Sequence, residues 1–528
     1  MTPEQLATLN VRDFLEAAVE RNGDAPLLIW DGTETSYADV NRRVDQAARV
    51  WHDAGLRRGD RVAFMLDNAP DFIYAWLGAA KLGGILVAIN TALREDETRY
   101  LITDSEPRFA LVGQPRLVTF RAAAKGVPGL GRTFSVGPAD GLDDFTVLAA
   151  SADPHAPAVR LVGDDVISLI YTSGTTGKPK GVMQTHRNYV LTGQAYPAWM
   201  GMERGDRIYA CLPLFHINSQ SYSLMGAIGA DGAIVLAPRF SARRFWDDIR
   251  RYRVNVFNFI GAMAAILSKS EPSAADRDHV VKVAYGVPAL PHELRLQIEE
   301  RYGMRVVSGF GMSETTFGLL EPPYGERRPG SMGKERHHPD PDVQRTEARI
   351  VDEAGADVPR GTVGELLLRN PALMAGYFRD PVRTAEALRD GWLHTGDMAS
   401  QDADGFFYFS DRKKDIVRHR GENVSSLEVE LVLNDHPAVI ESAIVGVPSE
   451  LTDEDLLAVV VALPEADVDP AALVDWCARR LAPFKVPRFV QYVGALPKTP
   501  TQKVEKRLLR DAWDPSRAAY DREADGAV

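Results

Sequence analysis

Toward the N-terminus the chain alternates two apolar patterns. Short unbroken runs, "APLLIW" and "RVAFML", are bounded by Gly and Asp and read as buried strands. Between them, "YADVNRRVDQAARVWHDAG" places Val40, Val44, Ala47 and Trp51 on one helical face, with Gly55 positioned to end the helix. "DFIYAWLGAAKLGG" predicts a second helix and "ILVAIN" the strand after it. The strand pattern returns in "VISLIYTS" and "RVVSGFG". Such alternation predicts βαβ units and largely parallel sheets. No short-period repeat of solenoid type is visible.

The texture changes near residue 350. "EARIVDEAGADVPRGTVGELLLRN" alternates apolar and polar positions between glycine turns, as antiparallel strands of a small sheet or barrel do. "DADGFFYFSDRKKDIVRHRGENVSS" passes from strand to charged loop, and from about Leu427 a new alternation of strand and helix begins. The expected fold class is α/β. An N-terminal domain over 1–410 would hold parallel βαβ subdomains plus a small antiparallel β subdomain. A small α+β C-terminal domain would follow over 411–528, with the boundary at 411–415. The closing stretch "DPSRAAYDREADGAV" is polar and is expected to fray.

Composition narrows the function. At 528 residues the chain exceeds one ordinary core, which independently asks for two or more domains. A net charge of −12 argues against a nucleic-acid partner, and an anionic substrate would need individually placed cations. Cys211 and Cys477 form neither a disulfide framework nor a zinc-ligand spacing, which fits a reducing, cytoplasmic compartment. "MTPEQLATLNVRDF" lacks the basic-then-apolar order of a signal peptide. The longest apolar stretch, "AWLGAAKLGGILVAIN", is interrupted by Lys81 and three glycines, so no integral membrane segment is expected.

Five segments carry candidate chemistry. "YTSGTTGKPKGV" leaves the end of a predicted strand, where α/β proteins place ligands. Gly174 and Gly177 admit close backbone approach; Thr172, Ser173, Thr175 and Thr176 offer hydroxyls, and Lys178 and Lys180 charge. Its glycine spacing and Pro179 exclude the Walker A loop, and a plain linker stays open for the loop taken alone. "GFGMSE" offers a flat face in Phe310, a hydroxyl in Ser313 and a carboxylate for Mg²⁺ in Glu314; a tight turn with a solvated Glu is the plainer reading. In "LHTGDMA", Asp397 suits a pair of ribose hydroxyls, or merely caps its own turn. "DRKKDIVRHRGENVSSLEVE" lies on the predicted boundary and offers Arg412 and Gly421, although charge runs are usually solvated faces. "LPKTPTQKVEK" is held extended by its prolines and carries Lys503.

These segments, in this order, resemble the adenylate-forming superfamily of acyl- and aryl-CoA ligases, nonribosomal adenylation domains and beetle luciferases. "FKVPRFV", from Phe484 to Val490, also looks like a segment of that family. The resemblance spans nearly the whole chain up to Lys506. It implies an enzyme working in two steps: a carboxylic acid attacks Mg-ATP to give acyl-adenylate and pyrophosphate, then coenzyme A displaces AMP. It also implies a C-terminal domain that moves between the steps. Carried over by residue, Thr172, Ser173, Gly174, Thr175, Thr176, Gly177 and Lys180 would hold the β- and γ-phosphates and Ser313 the α-phosphate. Glu314 would bind Mg²⁺, Phe310 and Gly286 would flank adenine, and Asp397 and Arg412 would hold the ribose. Lys503 would neutralise charge developing at the α-phosphate, a preorganised electrostatic role. Lys414 would be the hinge, Gly421 would line the coenzyme A tunnel, and His216 would stand at the mouth of the acyl pocket.

One position departs from the family pattern: Gln502 replaces the usual Gly before the catalytic lysine, which puts adenylation efficiency in question. "LPLFHINSQ" holds His216 and Asn218 and no acid, which disfavours an amino-acid substrate. Gly261, Ala262, Ala284, Gly286, Gly309 and Gly311 are small, from which room for a medium-to-large acyl or aryl group is inferred. "DGWLHTGD" and "RGENVSSLEVE" are most like acyl-CoA ligases of the carnitine/crotonobetaine type, but Asn218 offers no charge to a quaternary ammonium. Two alternatives stay open: an adenylating enzyme with a non-CoA acceptor or unusual acid, and a non-catalytic nucleotide-binding relative. A homodimer is allowed for.

Overall fold

The computed structural model describes residues 1–172, 179–287, 289–412, 415–419, 422–449, 454–464, 466, 468–499, 503–522 and 524. The chain divides into two compact units. Met1–Ala348, Leu367–His394 and Asp404–Phe407 form the first; Arg349–Leu366, Thr395–Ala403 and Tyr408–Val528 form the second.

The N-terminal alternation folds as expected. Tyr37–Asp53 is a helix, capped where the Ser36 side chain accepts from the Asp39 N–H and closed by Gly55 at φ +89°. Its Trp51 is fully buried and packs edge-on against Phe134 at 5.4 Å and Phe109 at 6.1 Å, tying helix to sheet. Pro70–Lys81 and Ile85–Ala88 are the next helix and strand. Lys81, which broke the apolar run, is a buried cation of the core, and among the described residues no helix is long and apolar enough to cross a membrane.

Two sheets of the first unit position the site. One runs, in spatial order, Gly376–Tyr377, Lys180–Thr185, Val166–Thr172, Ile85–Ala88, Arg61–Met65, Phe109–Gly113, Arg132–Val136 and Asp143–Asp144. Its middle is parallel, whereas Lys180–Thr185 and Gly376–Tyr377 add antiparallel strands at one end. The other sheet is parallel from Pro26–Trp30 through Ala233–Leu236, Arg207–Ala210, Val256–Ile260 and Val283–Val287 to Arg305–Met312. Thr315–Leu320 then returns antiparallel. "RVVSGFG" lies wholly inside the strand Arg305–Met312, and the turn of "GFGMSE" falls at Ser313 and Glu314.

In the second unit, Val439–Pro448 and Glu454–Ala462 pair antiparallel and Phe489–Tyr492 adds parallel, with helices Ser426–Asn434 and Pro470–Ala478 beside them, an α+β arrangement. The C-terminal stretch departs from expectation. Tyr520–Asp521 pairs with Phe489–Tyr492 as an edge strand, with Tyr520 opposite Val490, so the part of it that is described is ordered by sheet hydrogen bonds its polar composition did not advertise.

Candidate functional site

The described ends of the opening motif belong to two antiparallel strands. Val166–Thr172 and Lys180–Thr185 pair with Thr172 opposite Lys180. Ser173, Gly174, Thr175, Thr176, Gly177 and Lys178 lie outside the described residues. Where these strands end, the Thr172 Oγ1 is buried and has no hydrogen-bond partner among the described residues, a group whose desolvation a ligand oxygen would offset.

Beside it the fold assembles a cation, a phenol and an acid. Lys180 Nζ donates to the Tyr377 hydroxyl at 2.5 Å and lies 3.8 Å from Glu314 Oε1. The Tyr377 hydroxyl donates to Glu314 Oε1 at 2.8 Å. Glu314 is 5% exposed. Burial, then the Glu314 charge, pushes the Tyr377 pKa up, so the phenol stays protonated and keeps donating. The backbone holds these groups: the Glu314 carbonyl accepts from the Met374 N–H at 2.8 Å, and the Ser313 carbonyl from Gln184 Nε2 at 2.5 Å. Tyr377 belongs to none of the sequence motifs. It sits in "LMAGYF", outside the five segments, and reaches the site by pairing with Val182 across the sheet.

The acyl-pocket candidates separate. Asn218 opens the π-helical stretch Asn218–Leu224, and its Oδ1 accepts from Asn258 Nδ2 at 3.0 Å. His216 is half-buried, its ring 4.7 Å from that of Phe215. The room inferred from small residues is largely taken. A Cβ on Gly286 would lie 2.2 Å from the Phe259 ring, and one on Gly309 would lie 2.7 Å from the Leu319 carbonyl and 2.9 Å from Arg336 and Tyr285. These positions are small because neighbours already fill the volume. Ala284 is fully buried in the core opposite to that of Tyr285, by simple strand alternation. Gly261 has open space around it, with Leu290 at 4.0 Å the nearest atom, and Gly311 meets the Tyr222 hydroxyl at 3.2 Å. The side chain of Ala262 lies outside the description. Phe310 is buried, and its carbonyl accepts from Arg336 at 3.3 Å.

In the second unit Asp397 and Arg412 come together. Arg412 Nε lies 3.2 Å from Asp397 Oδ1, and Asp397 is 4% exposed. Lys503 is exposed; its N–H donates to Thr499 Oγ1 at 3.1 Å and its carbonyl accepts from the Thr499 N–H at 2.8 Å. Lys414, Gly421 and Gln502 lie outside the described residues.

Comparison with known proteins supplies the class. The family model described as AMP-binding enzyme matches residues 15–378, and that of the AMP-binding enzyme C-terminal domain matches residues 428–503. A crotonobetaine/carnitine–CoA ligase of Salmonella paratyphi A is 33% identical over 520 residues, covering 95% of this chain and 99% of the relative. Among solved structures, the anthranilate CoA ligase AuaEII in complex with anthranoyl-AMP has a TM-score of 0.87 at 26% identity, with 100% of both chains covered. ATP-bound MatB from Rhodopseudomonas palustris has a TM-score of 0.87 at 28% identity, covering 96% of this chain and 100% of that one. The chain belongs to the AMP-binding enzyme family, the adenylate-forming enzymes. It is an ATP-using acid–thiol ligase.

Proposed function

We propose that the protein is an acyl- or aryl-CoA ligase. A small carboxylic acid attacks the α-phosphate of ATP, giving an acyl-adenylate and pyrophosphate; coenzyme A then displaces AMP to leave a thioester. The observation that carries this reading is the Lys180, Tyr377 and Glu314 cluster where the two strands end. It sets a cation for phosphate oxygens beside a buried acid. The acid–CoA ligations named for the relatives, and the ATP and acyl-AMP held by the solved ones, support it.

The donor set suits Mg²⁺ arriving with ATP. That ion takes one or two carboxylates plus phosphate oxygens, and Glu314 supplies one such carboxylate. Among the described residues no cluster of three His, Cys, Asp or Glu offers a dedicated cage. When bound, the ion supplies charge neutralisation for the phosphates. Lys180 and the loop before it hold the β- and γ-phosphates in this reading, Thr172 offering its buried hydroxyl, and Ser313 holds the α-phosphate. Asp397 and Arg412 hold the ribose. Lys503 offsets charge in the adenylation step, Lys414 acts as hinge of a mobile C-terminal domain over 411–528, and Gly421 lines the coenzyme A path. The reading takes the enzyme as cytoplasmic, with buried thiols at Cys211 and Cys477, and admits a homodimer.

The test is acid-dependent ATP–pyrophosphate exchange over a panel of carboxylic acids, followed by AMP release with and without coenzyme A. Exchange plus thioester formation is expected; exchange without a thioester would move the acceptor away from coenzyme A. Lys503→Ala should lower exchange by roughly 10²–10³-fold, the scale of one lost electrostatic donor, yet spare thioester formation from supplied acyl-adenylate. Equal loss of both half-reactions would contradict the role of Lys503.

A further inference from the structure

Arg336 is 3% exposed, and among the described residues its guanidinium is met by neutral groups. Nη1 donates to the Tyr222 hydroxyl at 3.1 Å. Nη2 donates to the Tyr285 hydroxyl at 2.8 Å, the Leu319 carbonyl at 2.7 Å and the Phe310 carbonyl at 3.3 Å. The rings of Trp199, Tyr285 and Tyr222 lie 5.0, 5.3 and 5.5 Å from its Cζ, within cation–π range. Nε is buried without a partner. Arginine keeps its proton at any ordinary pH, so a full positive charge is held here by dipoles and aromatic faces alone. The same unit solves the problem differently at Arg295, which faces Glu321 at 3.0 Å. A buried cation lacking such a counter-charge costs stability, and it projects its field into whatever lies next to it.

Beside it lie two of the acyl-pocket candidates, the filled position Gly309 and the more open Gly311. A Cβ on Gly309 would come within 2.9 Å of Nη2, and the Tyr222 hydroxyl stands 3.2 Å from the corresponding point at Gly311, which is partly exposed. Tyr222 belongs to the same stretch as Asn218 and stacks on Tyr196 with centroids 5.4 Å apart. Tyr196 donates to Asn258 at 2.5 Å, and Asn258 donates to Asn218 at 3.0 Å. Cation, phenols and amides thus form one run of contacts, a polar wall between Gly311 and Asn218.

We propose that Arg336 is a specificity-determining residue that makes this wall positive, so that the enzyme takes acids whose acyl part is negative or uncharged and turns away acids bearing a fixed cation. The inference rests on the proposed function and on its acyl pocket lying at these residues.

The experiment compares kcat/KM for three acids of matched shape: one ending in trimethylammonium, its uncharged tert-butyl isostere, and one ending in a second carboxylate. For a substrate charge about 8 Å from the guanidinium at an effective dielectric near 20, the ammonium acid should be worse than the isostere by ~30-fold, chiefly in KM. The dicarboxylate should not be disfavoured. Arg336→Met should collapse the ratio to within about threefold, and Arg336→Lys should retain it. If Arg336→Met does not fold, Tyr222→Phe serves instead. It removes the hydroxyl between the guanidinium and Gly311 and should shift the ratio by about threefold, the scale of one hydrogen bond. Equal use of all three acids by the natural protein, or a ratio untouched by these variants, overturns the inference and leaves the proposed function standing. Failure of every acid to support pyrophosphate exchange overturns both.

Discussion

Lys81 and Lys180 are lysines of the same unit set beside glutamates, and their surroundings differ in kind. The Lys81 side chain is 1% exposed, and its ammonium donates to Glu16 at 2.8 Å and to Asp45 and Asn41 at 2.7 Å. Three donors meet three acceptors, two of them charged, and the group is sealed in the core. Lys180 is 20% exposed at the start of the strand Lys180–Thr185, donating to Tyr377 while Glu314 stands 3.8 Å away. The first arrangement holds helices together. The second sets a cation at the edge of solvent beside a carboxylate it does not hydrogen-bond, geometry that suits a lysine meeting an anion from outside. Arg336 is a third case, a sealed cation without a counter-charge among the described residues, and there the consequence is a field rather than a bond.

Each contrast can be broken by substitution. Lys81→Met leaves the largely buried Asp45 without its cation, Glu16 being more than a third exposed, and should cost about 3 kcal/mol of stability, read from denaturant midpoints. The folded fraction should keep its KM for ATP; a stability change under about 1 kcal/mol would show that the cluster is solvated rather than sealed. Lys180→Met should do the reverse, lowering pyrophosphate exchange by roughly 10²–10³-fold with the unfolding midpoint nearly unmoved. Comparable loss of stability would reassign Lys180 to the structural class.

His186 sharpens the comparison from the side of a buried base kept neutral. It is fully buried at the start of the helix His186–Met200, where Nδ1 accepts from the Val11 N–H at 3.2 Å, and burial pushes its pKa down to about 4. The unfolded chain binds this proton near pH 6.5 and the folded chain only near 4. Stability present above pH ~6.5 should therefore be lost progressively toward pH ~4, by roughly 3 kcal/mol. His186→Gln keeps an acceptor for Val11 and should flatten that acid limb; an unchanged slope would place the acid sensitivity elsewhere. The smallest expected effect is that of Tyr377→Phe. Loss of the phenol hydroxyl linking Lys180 and Glu314 should raise KM for Mg-ATP by about tenfold with little change in kcat. A fall confined to kcat would mean that Tyr377 touches the reacting atoms.

Local elements were legible because their signals are local. Helix Tyr37–Asp53 and strands Pro26–Trp30 and Arg61–Met65 follow directly from spacing, and the Gly55 stop follows from its positive φ. "GFGMSE" was harder, because glycine also reads as punctuation and a solvated turn was its plainer reading. In the fold those glycines lie inside a strand, where side chains from elsewhere crowd the missing Cβ positions. Asp397 and Arg412 could be named together from the order of the motifs, and they do meet. Tyr377 could not, because its partner Lys180 lies 197 positions away in the chain and nothing in "LMAGYF" marks it.

The sequence alone therefore determined the class of many elements and the family chemistry, since periodicity and motif order are written in neighbouring residues. Tertiary structure decided which charges are neutralised and which are not. Lys81 meets Glu16 and Asp45, Lys180 meets Tyr377 and Glu314, and Arg336 meets phenols and carbonyls in place of an acid. The charge each residue carries is a property of its type. The field it leaves behind depends on which distant groups the fold brings within a few ångströms, and that distance enters no local pattern.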